Sequence, residues 1–210
     1  EMSVSDWSSD VCSSDLPAGG EVIRGVLLAA GSSRRMGNDK LSLPWRGSTV
    51  LSSTLARWLS VPALEEILLV RRRKDPTDHG PRVRVLVNAE ADEGMGSSLR
   101  VAAQALPPDT KAVAVGLADM PDIDPATIAA LVAAWEPLGP DAIVAPVFDG
   151  RRGHPVVFGS RHIPALRGLG GDRGARNLLQ ERAGDLSLIA VEDPGVLVDL
   201  DTPDDLKALS

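Results

Sequence analysis

The chain has a single cysteine, Cys12, in 210 residues, which excludes an intramolecular disulfide and any cysteine-based metal cluster. It has no apolar run near the ~20 residues that a membrane span requires, and the candidate stretch "VIRGVLLAA" is far too short. The start lacks the basic, apolar and small-residue succession of a secretory signal, so a cytoplasmic protein with no membrane partner is expected. A basic excess is missing too. The net charge is −7, which argues against a general nucleic-acid binder with a cationic footprint. Internal repeats are absent, and no Ser/His/Asp arrangement suggests a covalent hydrolase.

What is present is ordinary for a globular enzyme, with 43% apolar and 24% charged residues. The length suits one sizeable core, and residues 21–210 are expected to form one domain. Residues 1–20 are set apart as a tail. Asp6 to Leu16, "DWSSDVCSSDL", is polar and repetitive with no amphipathic period. One choice of codons for it resembles a common sequencing-library adaptor read in frame, so residues 1 to about 16 are expected to be a translated artefact.

From Val22 onward, short β-rich runs alternate with helical stretches, the pattern of an α/β three-layer sandwich with a mostly parallel sheet. "VIRGVLLAA" is continuous enough to be a strand buried on both faces. Helical spacing follows over Ser48–Leu59, and strands are expected at 65–70 and 82–87, separated by the polar loop "RRRKDPTDHGP". Ser97–Ala105 reads as a helix, 111–118 as a buried strand, and 124–135 as a helix with Asp124 as cap and Pro125 in its first turn. "DAIVAPVFDG" and "GHPVVFG" flank a turn at Asp149–Gly150. A helix over "GARNLLQERAG", strands at 186–191 and 195–200, and a closing helix capped by Thr202 complete the reading.

Ligands of such sheets sit beyond the carboxyl ends of the strands. The segment "LAAGSSRRMGNDK", Leu28 to Lys40, leaves the first strand at that place. Gly31 allows close backbone approach, and Arg34, Arg35 and Lys40 supply charge for phosphate oxygens. It is neither a Walker loop nor a dinucleotide fingerprint, since neither spacing is met. On composition alone, a solvated basic loop reads the same. Asp119 ends a buried strand, where an acid is costly unless it is paired or lies in a cleft. Asp199 and Asp201 alternate along the late strand "VDLD", and carboxylates beside phosphate donors make a hard oxygen site suited to Mg²⁺. Capping and turn roles would account for the same acids. The charged run at 71–74 reads as a solvated loop or a steering patch.

Taken in order, "LAAGSSRRMGNDK", "GMGSSL", "GLADMP", "GRRGHPVVF", "GDRGAR" and "DLDTPDDL" resemble the molybdenum cofactor cytidylyltransferases of the nucleotidyltransferase superfamily. The resemblance runs from about Val22 to the C-terminus. It implies that Leu28, Ala29, Ala30, Gly31 and Ser33 bind the nucleotide, with Arg35 and Lys40 on the triphosphate. It implies that Asp119 is a Mg²⁺ ligand and Asp201 a second acid near the metal, with Arg35, Lys40 and Asp119 carrying catalysis. Ala30, where guanylyl enzymes look like they carry Gly, implies CTP rather than GTP. Ala118 before Asp119 departs mildly from the family pattern and leaves the carboxylate intact.

The implied second substrate is molybdopterin. Ser97 and Ser98, at the start of a helix whose amides can hold a terminal phosphate, are candidates for it. His154, with Arg151 and Arg152, and Arg173 with Arg176, are further candidates. A glycine turn, a structural histidine or solvated arginines would read the same. An apo-hydroxylase that uses the molybdenum cofactor is the implied protein partner. Three other readings stay open: a guanylyltransferase, a sugar- or polyol-phosphate cytidylyltransferase, and a non-catalytic cofactor-delivery protein.

Overall fold

A computed structural model describes residues 22–31, 39–171 and 174–200. The tail to residue 20, Ser33, Arg34, Arg35, Arg173, Asp201 and the closing helix capped by Thr202 lie outside the described residues.

The first strand, β1 (Val22–Ala29), serves both faces of the sheet by alternation. Ile23 and Leu27 enter one core cluster, and Val26 enters the other. A small hairpin follows, β2 (Pro44–Trp45) and β3 (Ser48–Thr49), closed by Arg46 and Gly47 at φ 42° and 82°. The two-residue turn with positive φ at both positions matches the twist of paired strands. Thr49 then caps α1 (Val50–Leu59), its hydroxyl accepting from the Ser52 amide. The residues at 48–49 thus pair as a strand before the helix begins.

The chain continues through β4 (Leu64–Arg71), β5 (Val83–Val87), α2 (Met95–Ala105) and β6 (Thr110–Leu117). Next come α3 (Pro125–Trp135), β7 (Ile143–Phe148), β8 (Arg151–Arg152) and β9 (Val156–Gly159). Two short helices, α4 (Ile163–Arg167) and α5 (Arg176–Glu181), precede β10 (Leu186–Ala190). The main sheet runs β5-β4-β1-β6-β9-β7-β10, with β8 paired to β7. Pairings are parallel except those of β9 with β6 and β7 and of β8 with β7. Helices α1 and α3 cover one face, and α2, α4 and α5 the other. This is the three-layer, mostly parallel mixed sheet that the sequence leads one to expect.

Trp58 of α1, fully buried, fixes the spacing of its layer. Its ring lies so close to Gly116 of β6 that a Cβ there would sit 2.3 Å from the ring. Helix α3 starts as expected, with the Asp124 carboxylate accepting from the Ala126 amide at 2.8 Å.

Besides the strand at 48–49, three sequence expectations change. Helix α2 begins at Met95, two residues before Ser97, because Gly94 at φ 103° makes the break. Helix α5 stops at Glu181 and gives way to a 3₁₀ turn over Ala183–Asp185. Residues 195–200 form no strand. Pro194 cannot donate, and the Asp193 carboxylate accepts from the Gly195 amide at 2.9 Å, so a 3₁₀ turn forms over Pro194–Leu197.

Candidate active site

Strand β1 has β4 on one side and β6 on the other, and the chain visits the two in opposite senses of the sheet. The crevice between the carboxyl ends of β1 and β6 is therefore the switch point, where open α/β sheets take their ligands. Leu28 pairs with Leu117, and the Ala118 amide donates to the Leu28 carbonyl at 3.1 Å, so Ala30 and Asp119 emerge side by side.

Lys40 returns to this crevice. Its ammonium lies 2.5 Å from Asp119 Oδ2, with both side chains about 15% exposed (14% and 15%). The strand-end acid is thus held by the cation of the glycine-bearing segment, as a half-buried carboxylate requires. Asp119 Oδ1 is buried and accepts no hydrogen bond. A buried, unshared carboxylate oxygen beside a cation is a hard donor of the kind that Mg²⁺ and Mn²⁺ prefer, so Asp119 fits a divalent ion. Among the described residues, no group of three His, Cys, Asp or Glu side chains forms a ready-made metal cluster.

The surroundings of Asp119 are rigid. Thr54 of α1 donates its hydroxyl proton to the Ala118 carbonyl at 2.9 Å, and the Leu200 amide donates to the Asp119 carbonyl at 3.0 Å. Arg46 donates to Asp122 at 2.9 Å while its guanidinium lies over Trp45. Leu200 brings the C-terminal segment to Asp119, although Asp199 precedes it in a non-strand conformation and is exposed.

The charged run at 71–74 divides: Arg71 and Arg72 belong to this edge, whereas Arg73 and Lys74 are exposed in the loop, as the sequence reading expects. Ala29 pairs with Arg71 across β1 and β4, which sets Arg71 and Arg72 next to the crevice. Arg72 forks onto Asp92 at 2.9 and 3.0 Å, and its Nε donates to the Ala30 carbonyl at 3.4 Å. Arg71 reaches Asp39, the residue before Lys40, at 3.3 Å. Sequence reasoning missed both arginines, because only the strand order, with β4 beside β1, brings the end of β4 to the crevice.

A cavity of about 370 Å³ opens beside the crevice on the α2 and α5 face. Leu28, Leu117 and Phe158 line its apolar part, and Arg152, His154 and Arg176 supply its polar groups. The imidazole Nδ1 of His154 is buried and has no hydrogen-bond partner. Burial lowers the His154 pKa from its ordinary value, and Arg152 adds to this, while Asp119 and a backbone hydrogen bond at Val115 oppose it. The sequence candidates His154, Arg152 and Arg176 all line this cavity, whereas Arg151, equally exposed on β8, does not.

Ser97 and Ser98 are placed differently. Both are buried, and both hydroxyls accept hydrogen bonds from the Asn88 side-chain Nδ2, at 2.8 and 3.0 Å. Ser97 also donates within the turn that starts α2. The Gly96 amide donates to the Gly171 carbonyl at 2.9 Å, and a Cβ on Gly96 would lie 2.6 Å from the Gly170 carbonyl oxygen. The start of α2 is thus packed against residues 170–171.

With Gly31 just past the end of β1 and Lys40 facing a carboxylate that keeps a spare oxygen at the end of β6, the site suits a phosphate-bearing ligand, and the fold is that of nucleotidyltransferases of the Rossmann-like nucleotide-sugar transferase type. The chain belongs to the MobA-like NTP transferase domain family, which matches residues 25–186. It is 34% identical to the purine catabolism protein PucB of Bacillus subtilis, over 86% of this chain and 92% of that one. It is 30% identical to the nicotine blue oxidoreductase of Paenarthrobacter nicotinovorans (93% and 98% covered). It is 27% identical to the molybdenum cofactor cytidylyltransferase of Escherichia coli (86% and 91% covered). Rv0371c of Mycobacterium tuberculosis, solved also in complex with manganese, superposes with a TM-score of 0.72 in that complex. It shares 29% identity, with 90% of this chain and 97% of that one covered.

Proposed function

We propose that the protein transfers CMP from CTP to the terminal phosphate of molybdenum-bound molybdopterin, giving the cytosine dinucleotide and pyrophosphate. The observation that carries this reading is the Lys40–Asp119 pair at the switch point, with Asp119 Oδ1 left over. An acceptor phosphate oxygen forms the new bond to the α-phosphorus, and the bond to the β-phosphate oxygen breaks as pyrophosphate leaves. Phosphate is already nucleophilic at neutral pH, so the protein's contribution is alignment and charge neutralisation.

The nucleotide lies over Leu28, Ala29, Ala30, Gly31 and Ser33, with Arg35 and Lys40 on the triphosphate. Asp119 and Asp201 would hold Mg²⁺, which would offset charge on the phosphates and the leaving group. Ala30 favours cytosine. The cavity takes the acceptor: Leu28, Leu117 and Phe158 face its ring system, and Arg152 and Arg176 face its anionic part. His154 stays neutral there and hydrogen-bonds the acceptor through Nδ1. Ser97 and Ser98 support the start of α2 and contribute to the acceptor side through it. The product passes to a molybdenum hydroxylase apoenzyme in the cytoplasm.

The test is pyrophosphate release from purified protein with Mg²⁺, molybdopterin and each nucleoside triphosphate in turn. Turnover with CTP is expected. Turnover with GTP alone overturns the assignment of Ala30, and no turnover with any triphosphate overturns the enzymatic reading in favour of cofactor delivery.

A further inference from the structure

The Arg71 side chain joins two acids, one before Lys40 in the chain and one in the loop after β4. Its Nη2 lies 3.3 Å from Asp39 Oδ2, and its Nε lies 3.6 Å from Asp75 Oδ2. Asp39 is also the cap of the 3₁₀ turn Lys40–Ser42, its carboxylate accepting from the Leu41 amide at 3.2 Å. Lys40 is the first residue of that turn, and its ammonium sits on Asp119. A continuous chain of charge contacts therefore runs from Asp75 through Arg71 and Asp39 to the residue that faces Asp119.

We propose that Arg71 is a positioning residue for Lys40, acting through Asp39, with Asp75 and His79 as its outer support. A lysine stem has four rotatable bonds, and its ammonium is a point charge without preferred direction. Fixing the backbone from which it projects is the way to fix where that charge lies. A capped turn held from outside by a guanidinium does this, because Arg presents several donors in a rigid fork.

The outer support is itself ordered. Asp75 accepts from His79 Nε2 at 3.0 Å and from the Thr77 amide at 3.0 Å. Both Asp75 and His79 are almost fully buried, with side-chain exposures of 7% and 9%. Burial pushes the Asp75 pKa up, but the hydrogen bonds from His79 and Thr77 and the charge of Arg71 outweigh it and hold the value down to about 2. A free surface loop at 71–80 would need none of this.

The consequence for catalysis rests on the proposed nucleotidyl transfer, but the placement of Lys40 is measurable without it. The first measurement is acylation of lysines by an amine-reactive ester, read residue by residue by mass spectrometry. Lys40, paired and shielded, should label slowly in the wild-type protein. Arg71→Gln should raise its rate by about fivefold or more, and Asp39→Ala should do the same. Lys111, exposed on β6, serves as the control and should not change. The second measurement is binding of Mg-CTP and Mg-GTP by calorimetry. Arg71→Gln should weaken CTP binding about tenfold in the wild-type background and less than about twofold in Lys40→Ala.

Unchanged labelling of Lys40 in both variants overturns the proposal, and so does a parallel rise at Lys111. Additive losses of binding in the double variant overturn it as well, because Arg71 would then act on the ligand through its own unpartnered Nη1. If Arg71→Gln does not fold, Asp39→Ala decides the question, since Asp39 is half exposed (49%) and its loss spares the core. If the wild-type protein binds neither nucleotide, the proposed function fails while the labelling result still decides the role of Arg71.

Discussion

The two ends of the central sheet both carry charge, and they use it in opposite ways. At the amino ends of β1, β4, β5 and β6, Arg24 is buried and bonded to the Thr110 hydroxyl at 2.7 Å. It also pairs with Asp109 at 3.0 Å and with Glu66 at 3.5 Å, while Arg84 meets Glu66 at 3.0 Å. Cations and anions there alternate and face one another. At the carboxyl ends, Lys40 meets Asp119 through one oxygen, and Asp119 Oδ1 and His154 Nδ1 remain buried without partners. Arg24 Nε and Arg84 Nε make no aligned hydrogen bond, but each faces a Glu66 carboxylate oxygen, so the amino end spends its charges on itself. The other keeps polar capacity in reserve, at a cost of about 1–3 kcal/mol for each unsatisfied group, and that cost makes sense if a ligand satisfies it.

The largest expected effect lies at the reserved end. Asp119→Asn should lower pyrophosphate release by about a hundredfold or more, the scale of removing a preorganised electrostatic contact. Its unfolding free energy should fall by no more than about 2 kcal/mol, because Asn keeps the side-chain shape and an oxygen for Lys40 while the unshared buried oxygen no longer carries charge. Steady-state kinetics and urea unfolding on the same preparation check both parts. Wild-type turnover in this variant would remove Asp119 from the site.

At the other end the signs reverse. Arg24→Met keeps the volume of the side chain and removes its contacts to Thr110, Asp109 and Glu66. It should cost roughly 1–3 kcal/mol of stability, with Glu66 still held by Arg84. Turnover per folded molecule should not change. A stable Arg24→Met variant with impaired turnover would mean that the amino end shapes the site, and the contrast between the two ends would collapse.

How legible this was in the sequence depends on what fixed each element. Strands β1 and β6 are long apolar runs buried on both faces, and α3 carries its own cap and proline, so local signals suffice. Asp119 was legible because it follows closely on a buried strand end, and Lys40 because it closes the glycine-bearing segment that leaves β1. Arg71 and Arg72 were not. A run of four cations followed by Asp-Pro looks solvated, and only the order of strands, with β4 beside β1, brings it to the edge. Residues 195–200 carry a strand-like alternation, yet Pro194 and the Asp193 carboxylate impose a turn that alternation does not register. Ser97 and Ser98 have the composition of a phosphate-binding helix start, but Asn88, distant in the pattern and next to them in space, takes both hydroxyls. Asp201, Ser33 and Arg35 fall outside the described residues and keep the standing the sequence gives them.

The smallest expected effect concerns His154 and distinguishes the two ends by their response to pH. Burial depresses its pKa below the ordinary value, with Arg152 adding to the effect and Asp119 and a backbone hydrogen bond at Val115 opposing it. An unfolded chain takes up the proton near pH 6.5, whereas the folded protein takes it up only at lower pH. The unfolded state therefore binds more protons in that interval, and stability falls as pH drops through about 6.5 toward the folded value. Above about 6.5 the contribution is complete. His154→Gln should flatten the fall in urea midpoint between about pH 7.5 and 5.5 relative to wild type. An unchanged slope would mean that the imidazole protonates in place, stabilised by Asp119. In that event the cavity would present three cations to its ligand in place of two, and the division of labour between Arg152, Arg176 and a neutral His154 would have to be redrawn.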